Sequence, residues 1–362
     1  MLKIVCILLL LVSNSLLAQG PKRLMNVAYV GHTKGENAFW DNLVAPMPEV
    51  AKQLGINLSV YYADYNNRFS YFDEVTKIVN SDTPPDFLIS PFRAASSKPL
   101  LNLLEKKQIP FISIVNEIPR SERAKVGLPQ ANYKFWKAQI TSDDTASGEM
   151  LAQALRAIAL KKTAQRPLKL VALAGGRVME SSLERNDGLQ KALAQYNDLY
   201  YQQSVFTDWN PGKAYRMCTE LYHRHGKADI VWAANDDIAI TAAQCLRDLL
   251  DDDVNNVTIG GVDATIKGVQ AVINEQIDIT LGGNQMHGAW ALIVAFDIYN
   301  QKAQHANSLE SPFFIVDKKN APSLLRLLKG DWHQVNFKAM SKTYNPQLSH
   351  YDFNLSHLLV NE

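Results

Sequence analysis

The chain has 362 residues, of which 47% are hydrophobic and 20% are charged, and this length favours two lobes over a single core. Its 37 basic and 36 acidic side chains nearly balance, which gives no electrostatic indication of a nucleic-acid partner or an anionic membrane surface. No low-complexity tract, internal repeat or long charged block interrupts the chain, so a flexible modular array is not expected.

The first element is an apolar segment, residues 4–12, which lies between Lys3 and the small residue Ala18. A basic residue, an apolar run and a small residue in this order are typical of a cleavable secretory signal peptide. The run is too short to span a bilayer, which takes about 20 residues. A membrane anchor or a buried first strand is the alternative, although polar residues 19–23 separate the run from the rest of the chain. We therefore interpret residues 1–18 as a signal peptide that directs export.

Cysteine usage limits the covalent cross-links that the exported chain can form. Cys6 lies within the signal segment, so that the mature chain would keep only Cys218 and Cys245. Two cysteines do not form a disulfide framework. Export permits one disulfide between them, whereas two small buried side chains on neighbouring helices explain the pair equally well. The sequence leaves both interpretations open.

Eight short β-rich runs alternate with amphipathic, helix-like stretches along the mature chain. Strands that alternate with helices predict βαβ units and parallel sheets, and runs that are apolar at consecutive residues indicate sheets covered on both faces. Four strand-helix units come before about residue 140 and four come after it. We therefore predict an α/β fold of two doubly wound parallel-sheet lobes that face each other across a cleft. The predicted strands are residues 26–30, 56–61, 87–90, 111–115, 168–174, 200–205, 230–233 and 257–262.

Candidate binding residues are those that follow each predicted strand, because ligands of open α/β sheets lie beyond the carboxyl ends of the strands. After the first strand, Asn37, Phe39 and Trp40 lie where a loop becomes a helix. The two aromatic rings could stack on the apolar face of a ring-shaped ligand such as a sugar, or they could begin the core stripe of the helix. His32 and Lys34 are interpreted as solvated loop residues.

Planar donors follow the third, fourth and fifth strands. Arg93 and Asn116 could donate hydrogen bonds to hydroxyl groups, although a surface ion pair for Arg93 and a turn role for Asn116 are the alternatives. Arg185 lies early in a predicted helix, where its charge opposes the helix dipole, so a use outside the helix is plausible. Its rigid fork of donors suits two adjacent hydroxyls.

The remaining candidates follow the last predicted strands of the second half. Trp209 offers a second aromatic ring, Asn235 could either cap the next helix or reach the cleft, and Asp263 offers a carboxylate. Asn284 and Gln285 lie in a hinge-like segment further along the chain. These donors, acceptors and stacking rings, all at strand ends, form the set that a neutral polyol requires.

On these residues the chain resembles the type I periplasmic sugar-binding proteins, the ribose- and galactose-binding group. The resemblance extends to about residue 320 and implies two lobes joined by a three-segment hinge, a binding site in the cleft and no catalysis. It implies stacking by Phe39, Trp40 and Trp209. It also implies recognition of hydroxyls by Arg185, Asn235, Asp263 and Asn37. The motifs that carry it are Asn37-Ala38-Phe39-Trp40, the turn from Ser142 to Gly148, Arg185 with Gly188, Ala234-Asn235-Asp236-Asp237-Ile238-Ala239, and Gly261-Val262-Asp263.

The resemblance also implies where the chain crosses between lobes. Crossings near residues 142, 284 and 316 assign residues 25–141 and 285–316 to an N-terminal lobe and residues 142–284 and 317–362 to a C-terminal lobe. Either Asn284 or Gln285 faces the ligand at the second crossing. The ribose-type pattern has an Asp-Arg pair after the fourth strand, where this chain has Asn116 and Glu117, so ribose itself is not the expected ligand. The long C-terminal segment should pack on a lobe through Trp332, Phe337 and Tyr344.

We therefore predict a periplasmic solute-binding protein that closes on a small sugar or polyol and delivers it to an ABC-type permease, without a cofactor or a metal. The alternative is the ligand-binding component of a sensory system, for autoinducer-2 or a sugar, that presents its closed form to a membrane receptor. An enzyme is not expected, because the chain has no P-loop, GxSxG or HExxH motif. Asp236 and Asp237 are more simply explained by a helix start than by an acid-base pair. The acidic run Asp251-Asp252-Asp253 lacks the alternation of a calcium loop.

Overall fold

The computed structural model describes residues 23–359, except residues 33, 36–37, 65–66, 68, 94–95 and 304–307. The predicted signal peptide and the candidate Asn37 lie outside the described residues. Among the helices of the described part of the chain, none combines the length and the apolar character needed to cross a membrane.

The first lobe is built on a six-stranded sheet whose neighbouring strands are all parallel. Helices cover both faces of this sheet, because alternate residues of the first strand enter two different cores: Val27 and Tyr29 face one, and Ala28 and Val30 face the other. In the order of the sheet, the strands are β11 (Ser308–Glu310), β5 (Trp136–Thr141), β4 (Phe111–Ile114), β3 (Phe87–Pro91), β1 (Met25–His32) and β2 (Ile56–Ala63). Its helices are α1 (Ala38–Val44), α2 (Met47–Leu54), α3 (Ser70–Val79), α4 (Ser97–Lys107), α5 (Arg120–Val126) and α11 (His287–Tyr299).

The second lobe repeats this plan, with one antiparallel strand at the edge of its six-stranded sheet. In the order of the sheet, the strands are β12 (Phe314–Val316), β10 (Ile279–Gly282), β9 (Thr258–Val262), β8 (Ile230–Ala233), β6 (Leu168–Ala174) and β7 (Leu199–Phe206). Its helices are α6 (Asp144–Lys162), α7 (Glu180–Gln195), α8 (Pro211–His225), α9 (Asp236–Leu250), α10 (Ile266–Ile273) and α12 (Ala321–Leu328). The predicted two-lobed α/β fold and its eight strands are confirmed, and β5, β10, β11 and β12 are strands that the sequence did not predict.

The chain crosses between the two sheets three times, after β5, after β10 and between β11 and β12. The third crossing, at residues 311–313, comes earlier than the predicted position near residue 316. Residues 314–316 belong to the second sheet, because β12 pairs with β10 through Val316 and Thr280. This corrects the predicted assignment of those residues to the N-terminal lobe.

The C-terminal segment contacts both lobes rather than the second one alone. Helix α12 packs on α10, whereas the chain after it returns to the first lobe. There Phe353 stacks on Trp290 of α11 at 4.9 Å between ring centroids. The buried carboxylate of Asp297, also on α11, accepts hydrogen bonds from Ser341 and Thr343. Ser341, Thr343 and Phe353 therefore pack on the first lobe, which differs from the predicted assignment of residues 317–362 to the C-terminal lobe.

Cys218 on α8 and Cys245 on α9 form a disulfide across a separation of 27 residues, which settles the alternative that the sequence left open. Such a cross-link stabilises a protein mainly by restricting its unfolded chain, by about 3.5 kcal/mol for a loop of this length. We expect the double variant Cys218→Ala/Cys245→Ala to lose on the order of 3 kcal/mol of unfolding free energy in urea titrations. A reducing agent should destabilise the wild-type chain and leave the variant unchanged; equal stability of the two proteins would contradict the expectation.

Candidate ligand-binding site

A cavity of about 370 Å³ lies between the lobes, at the carboxyl ends of strands from both sheets. Eight of the sequence-predicted residues line it: Phe39, Trp40, Asn116, Arg185, Trp209, Asn235, Asp263 and Asn284. The other residues that line it are His32, Val115, Ser142, Asp144, Met179, Ser181, Asp208, Asn210, Pro211, His287 and Phe313.

Two of the predicted residues lie away from this cavity. The guanidinium of Arg93 is 6.0 Å from the centre of the Tyr71 ring. Gln285 is fully buried, and its side-chain oxygen accepts a hydrogen bond from the backbone of Gly283 at 2.7 Å. Of the two residues that could face the ligand at the second crossing, Asn284 is therefore the one that reaches the cavity.

Several strand ends at the cavity have unusual backbone conformations. Val115 after β4, Trp209 after β7 and Asp263 after β9 have φ angles of 63°, 58° and 107°. Residues other than glycine adopt such angles at a cost of about 1–3 kcal/mol each, and they cluster at functional sites. Each of these three residues lines the cavity beyond the carboxyl end of its strand.

The wall from the first lobe is aromatic. Trp40 stacks on His32 at 4.1 Å between ring centroids and meets the edge of Phe39 at 5.0 Å. His32 is buried, and this burial lowers the pKa of its imidazole to about 3, so that the ring is neutral at physiological pH. His32 is therefore part of the site, and its interpretation as a solvated loop residue was wrong.

The opposite wall is formed by Trp209. Its ring lies against Gly175 and Gly176 at the end of β6, where a Cβ atom on Gly175 would come within 2.3 Å of the indole. Only glycine leaves room for this close contact, so the Gly-Gly pair fixes the orientation of the ring. The indole Nε1 of Trp209 is buried and has no hydrogen-bond partner among the described residues.

A buried ion-pair group forms the floor of the cavity in the second lobe. Arg185 donates from Nε to Asp144 at 2.7 Å and from Nη1 to the carbonyl oxygen of Ala234 at 2.6 Å, and its Nη2 is 3.5 Å from Asp263. Burial raises the pKa of the Asp263 carboxyl to about 6 and also raises that of Asp144, although Arg185 opposes both shifts. One cation thus lies between two carboxylates, and the group has no excess positive charge that would attract an anion.

Two glycines explain how Asp144 meets Arg185. Helices α6 and α7 touch backbone to backbone, since a Cβ atom on Gly148 would lie 1.9 Å from the carbonyl oxygen of Arg185. A Cβ on Gly188 would similarly lie 2.0 Å from the carbonyl oxygen of Thr145. The close contact brings the start of α6, with Asp144, beside the first turns of α7.

Asn235 has both of the roles that the sequence left open. Its side-chain oxygen caps α9 by accepting from the backbone of Ile238 at 3.0 Å, and the residue also lines the cavity. The next residue, Asp236, lies outside the lining and accepts hydrogen bonds from Thr265 and Thr280. This buried network gives Asp236 a structural role at the start of the helix.

Charged residues join the two lobes beside the cavity. Arg120 of α5, in the first lobe, lies 3.2 Å from Glu180 and 2.8 Å from Asp187 of α7, in the second lobe. Arg123 lies 2.9 Å from Glu184 of the same helix. These ion pairs connect the lobes near the cavity residues Met179 and Ser181 without lining the cavity themselves.

Sequence reasoning missed several lining residues, some of which carried a usable signal. Asp208 and Asn210 flank Trp209 in the same strand-end loop, and Asp144 lies within the turn from Ser142 to Gly148. Met179 and Ser181 follow the Gly-Gly pair after β6. Phe313 lies at the third crossing, where no local pattern marked it. Among the described residues no cluster of histidine, cysteine or acidic side chains is arranged to hold a metal ion.

The chain belongs to the periplasmic binding protein domain family, whose model it matches over residues 27–303. Among solved structures, it is similar to a periplasmic sugar-binding protein from Pseudomonas fluorescens, with 24% identity and a TM-score of 0.80 over 93% of this chain and 100% of that one. No curated protein sequence matches the chain.

Two further structures of this fold contain ligands. An ABC transporter periplasmic solute-binding protein from Actinobacillus succinogenes with bound D-allose has 20% identity and a TM-score of 0.71, over 83% of this chain and 99% of that one. An ABC transporter solute-binding protein from Bacillus halodurans with bound myo-inositol has 16% identity and a TM-score of 0.69, over 85% and 99%. The family match and these structures confirm the resemblance on which the sequence interpretation relied.

Proposed function

We propose that this protein is exported through the signal at residues 1–18 and captures a small neutral sugar or polyol in the periplasm for delivery to an ABC-type permease. The observation that carries the proposal is an interlobe cavity that combines aromatic rings with a buried polar group. Trp40 and Trp209 face it from different lobes, and Arg185 and Asp263 lie at its floor. A pyranose or cyclitol ring has apolar faces that can stack on the tryptophans and hydroxyls that can bind the polar group.

The charge of the floor favours a neutral ligand. Arg185 is already engaged by Asp144 and Asp263, so a carboxylate or phosphate on the ligand would approach two anions and only one cation. The guanidinium nevertheless has five N–H donors and can still serve a hydroxyl oxygen. The related proteins that were solved with D-allose and myo-inositol bind ligands of this neutral, polyhydroxylated kind.

Closure of the lobes is the proposed mechanism. The three crossings act as the hinge, and ligand contacts from both lobes favour the closed population because the open form can make only part of them. The permease would then recognise the closed form. No step of this cycle changes a covalent bond.

A thermal-shift screen of residues 19–362 against monosaccharides, disaccharides, cyclitols and autoinducer-2 tests the proposal. A ligand at 100 times its Kd stabilises the folded state by about 2.7 kcal/mol, which gives a readily measured rise in melting temperature. Sugar acids, sugar phosphates and amino acids serve as comparison sets. A rise in melting temperature with any of these comparison sets, and with no neutral sugar or polyol, would overturn the proposed ligand class.

The interlobe ion pairs should stabilise the closed form. We expect the double variant Arg120→Gln/Arg123→Gln to bind the sugar found in the screen several-fold more weakly, because exposed ion pairs contribute about 0.2–1 kcal/mol each. The difference from wild type should shrink as ionic strength rises. Lys77→Gln is the matched control, since Lys77 pairs with Glu74 within α3. Equal affinities for the double variant and wild type in calorimetry at low salt would contradict the expectation.

The carboxyl group of Asp263 should make the affinity for the ligand depend on pH. This carboxyl has a pKa of about 6 in the ligand-free chain, and a ligand whose hydroxyls donate to it favours the ionised form. Affinity should therefore be constant well above pH 6 and fall below it, by at most about tenfold per pH unit. The variant Asp263→Asn should bind weakly with a flatter profile. A wild-type affinity that rises as the pH falls from 7 to 5 would contradict this assignment.

A further inference from the structure

The hinge side of the cavity contains two polar side chains that are buried and incompletely paired. Asn284 lies in the short helical turn after β10, and His287 begins α11, so the two are three residues apart and share one face of this turn. Both line the cavity and are at most 3% exposed. The Oδ1 atom of Asn284 and the Nδ1 atom of His287 have no hydrogen-bond partner among the described residues.

The neighbouring hydrogen bonds fix which atom of His287 carries the proton. The hydroxyl of Ser142 donates its only proton to the carbonyl oxygen of Ser311 at 2.5 Å. Its oxygen therefore accepts from Nε2 of His287, which is 3.0 Å away. Burial lowers the pKa of His287 to about 3, so the imidazole is neutral and holds one proton. Nδ1 is consequently a bare acceptor.

Asn284 also has an acceptor atom without a partner among the described residues. Its amide nitrogen donates to Asp263 at 2.9 Å, which leaves the carbonyl oxygen on the other side of the amide group. The hydroxyl proton of Ser142 and the ring proton of His287 are both used within the protein, and Asn284 uses one of its two amide protons on Asp263, whereas the acceptor atoms of Asn284 and His287 have no partner among the described residues. A buried acceptor without a partner is costly, so a ligand that supplies a donor gains affinity here.

We propose that Asn284 and His287 form a specificity subsite that accepts a hydrogen bond from a free hydroxyl group at the hinge-facing end of the ligand. This inference rests on the proposed function, and it adds that the ligand carries a hydrogen-bond donor at one defined position. A ligand with a hydrogen atom, a methyl ether or a carboxylate at that position provides no donor and binds less well. His287 is not one of the binding residues that the sequence indicated.

The test uses D-allose, myo-inositol and the other neutral sugars of the screen as probes, together with monodeoxy analogues of whichever probe binds the wild-type chain. We expect His287→Leu to weaken binding of the parent probe about 10- to 100-fold in calorimetry. One monodeoxy analogue should bind wild type with a similar loss, and His287→Leu should cost it little further affinity. Met286→Leu, at a fully buried neighbour outside the cavity lining, is the control and should bind like wild type.

The outcomes separate the subsite from the proposed function. Equal affinity of His287→Leu and wild type for a bound probe would overturn the subsite alone, and so would equal losses for the parent and every deoxy analogue, because a purely structural effect does not depend on one hydroxyl. If no neutral probe binds the wild-type chain, the proposed function and the subsite both fail. Nitrogen NMR of the ligand-free chain gives an independent answer, since a proton found on Nδ1 of His287 would also overturn the subsite.

Discussion

Replacement of Trp209 by alanine is expected to weaken binding of the sugar found in the screen by at least about 100-fold, which corresponds to the loss of a central aromatic contact. The indole is held against Gly175 and Gly176, and the residue lines the cavity. Alanine removes the stacking surface from one lobe, so that closure would bury a void beside the ligand. Titration calorimetry of the purified variant measures the loss directly.

Companion variants distinguish stacking from a general disturbance of the lobe. Trp209→Phe keeps an aromatic face and should retain most of the affinity. Gly175→Ala should displace the ring and weaken binding although it leaves Trp209 itself in place. Tyr201→Ala, at an exposed aromatic near the opposite end of β7, should have no effect. Wild-type affinity in Trp209→Ala would remove this residue from the site.

Replacement of Asp263 by alanine is the second change with a large expected effect, again a loss of at least about 100-fold. The carboxylate contacts Arg185 and Asn284, so its removal takes away an acceptor for ligand hydroxyls and releases both neighbours from their orientation. Charged hydrogen bonds contribute about 1.5–3 kcal/mol each, so the loss of those that ligand hydroxyls donate to this carboxylate accounts for the magnitude.

The matched control for Asp263 is another buried aspartate. Asp297 accepts several hydrogen bonds on α11, away from the cavity lining, and its replacement should lower stability more than affinity. Asp263→Ala removes fewer hydrogen bonds within the protein than replacement of Asp297 does, so it should show the reverse pattern, with the smaller change in melting temperature and the larger change in Kd. If both Trp209→Ala and Asp263→Ala bind like wild type, the assignment of the site to this cleft is wrong.

The positions of most candidate residues could be predicted because they depend on local patterns. Apolar runs of four to eight residues define buried parallel strands, and the residue after each strand then falls at the cleft. Trp209, Asn235 and Asp263 were found in this way. The edge strands β11 and β12 were missed because each has only three residues and is defined by its partner strand rather than by its own composition.

Other features depend on contacts between distant parts of the chain. The Asp144–Arg185 pair requires the backbone contact of α6 with α7. Gly148 and Gly188 permit that contact, but the sequence does not indicate which distant backbone each glycine meets. His32 follows the predicted strand 26–30 like a loop residue, whereas in the structure it is the last residue of β1 and lies buried against Trp40. His287 acquires its role through Ser142 and the third crossing, which lie far away in sequence.

Intrinsic tryptophan fluorescence during titration with neutral sugars tests the central claim most directly. Trp40 and Trp209 line the cleft, whereas the other tryptophans, Trp136, Trp232, Trp290 and Trp332, are buried elsewhere. A polyhydroxylated ligand bound between the lobes should change the emission saturably, and the change should be largely lost in the double variant Trp40→Phe/Trp209→Phe. Saturable sugar binding in calorimetry without any change in wild-type emission would contradict binding in this cleft.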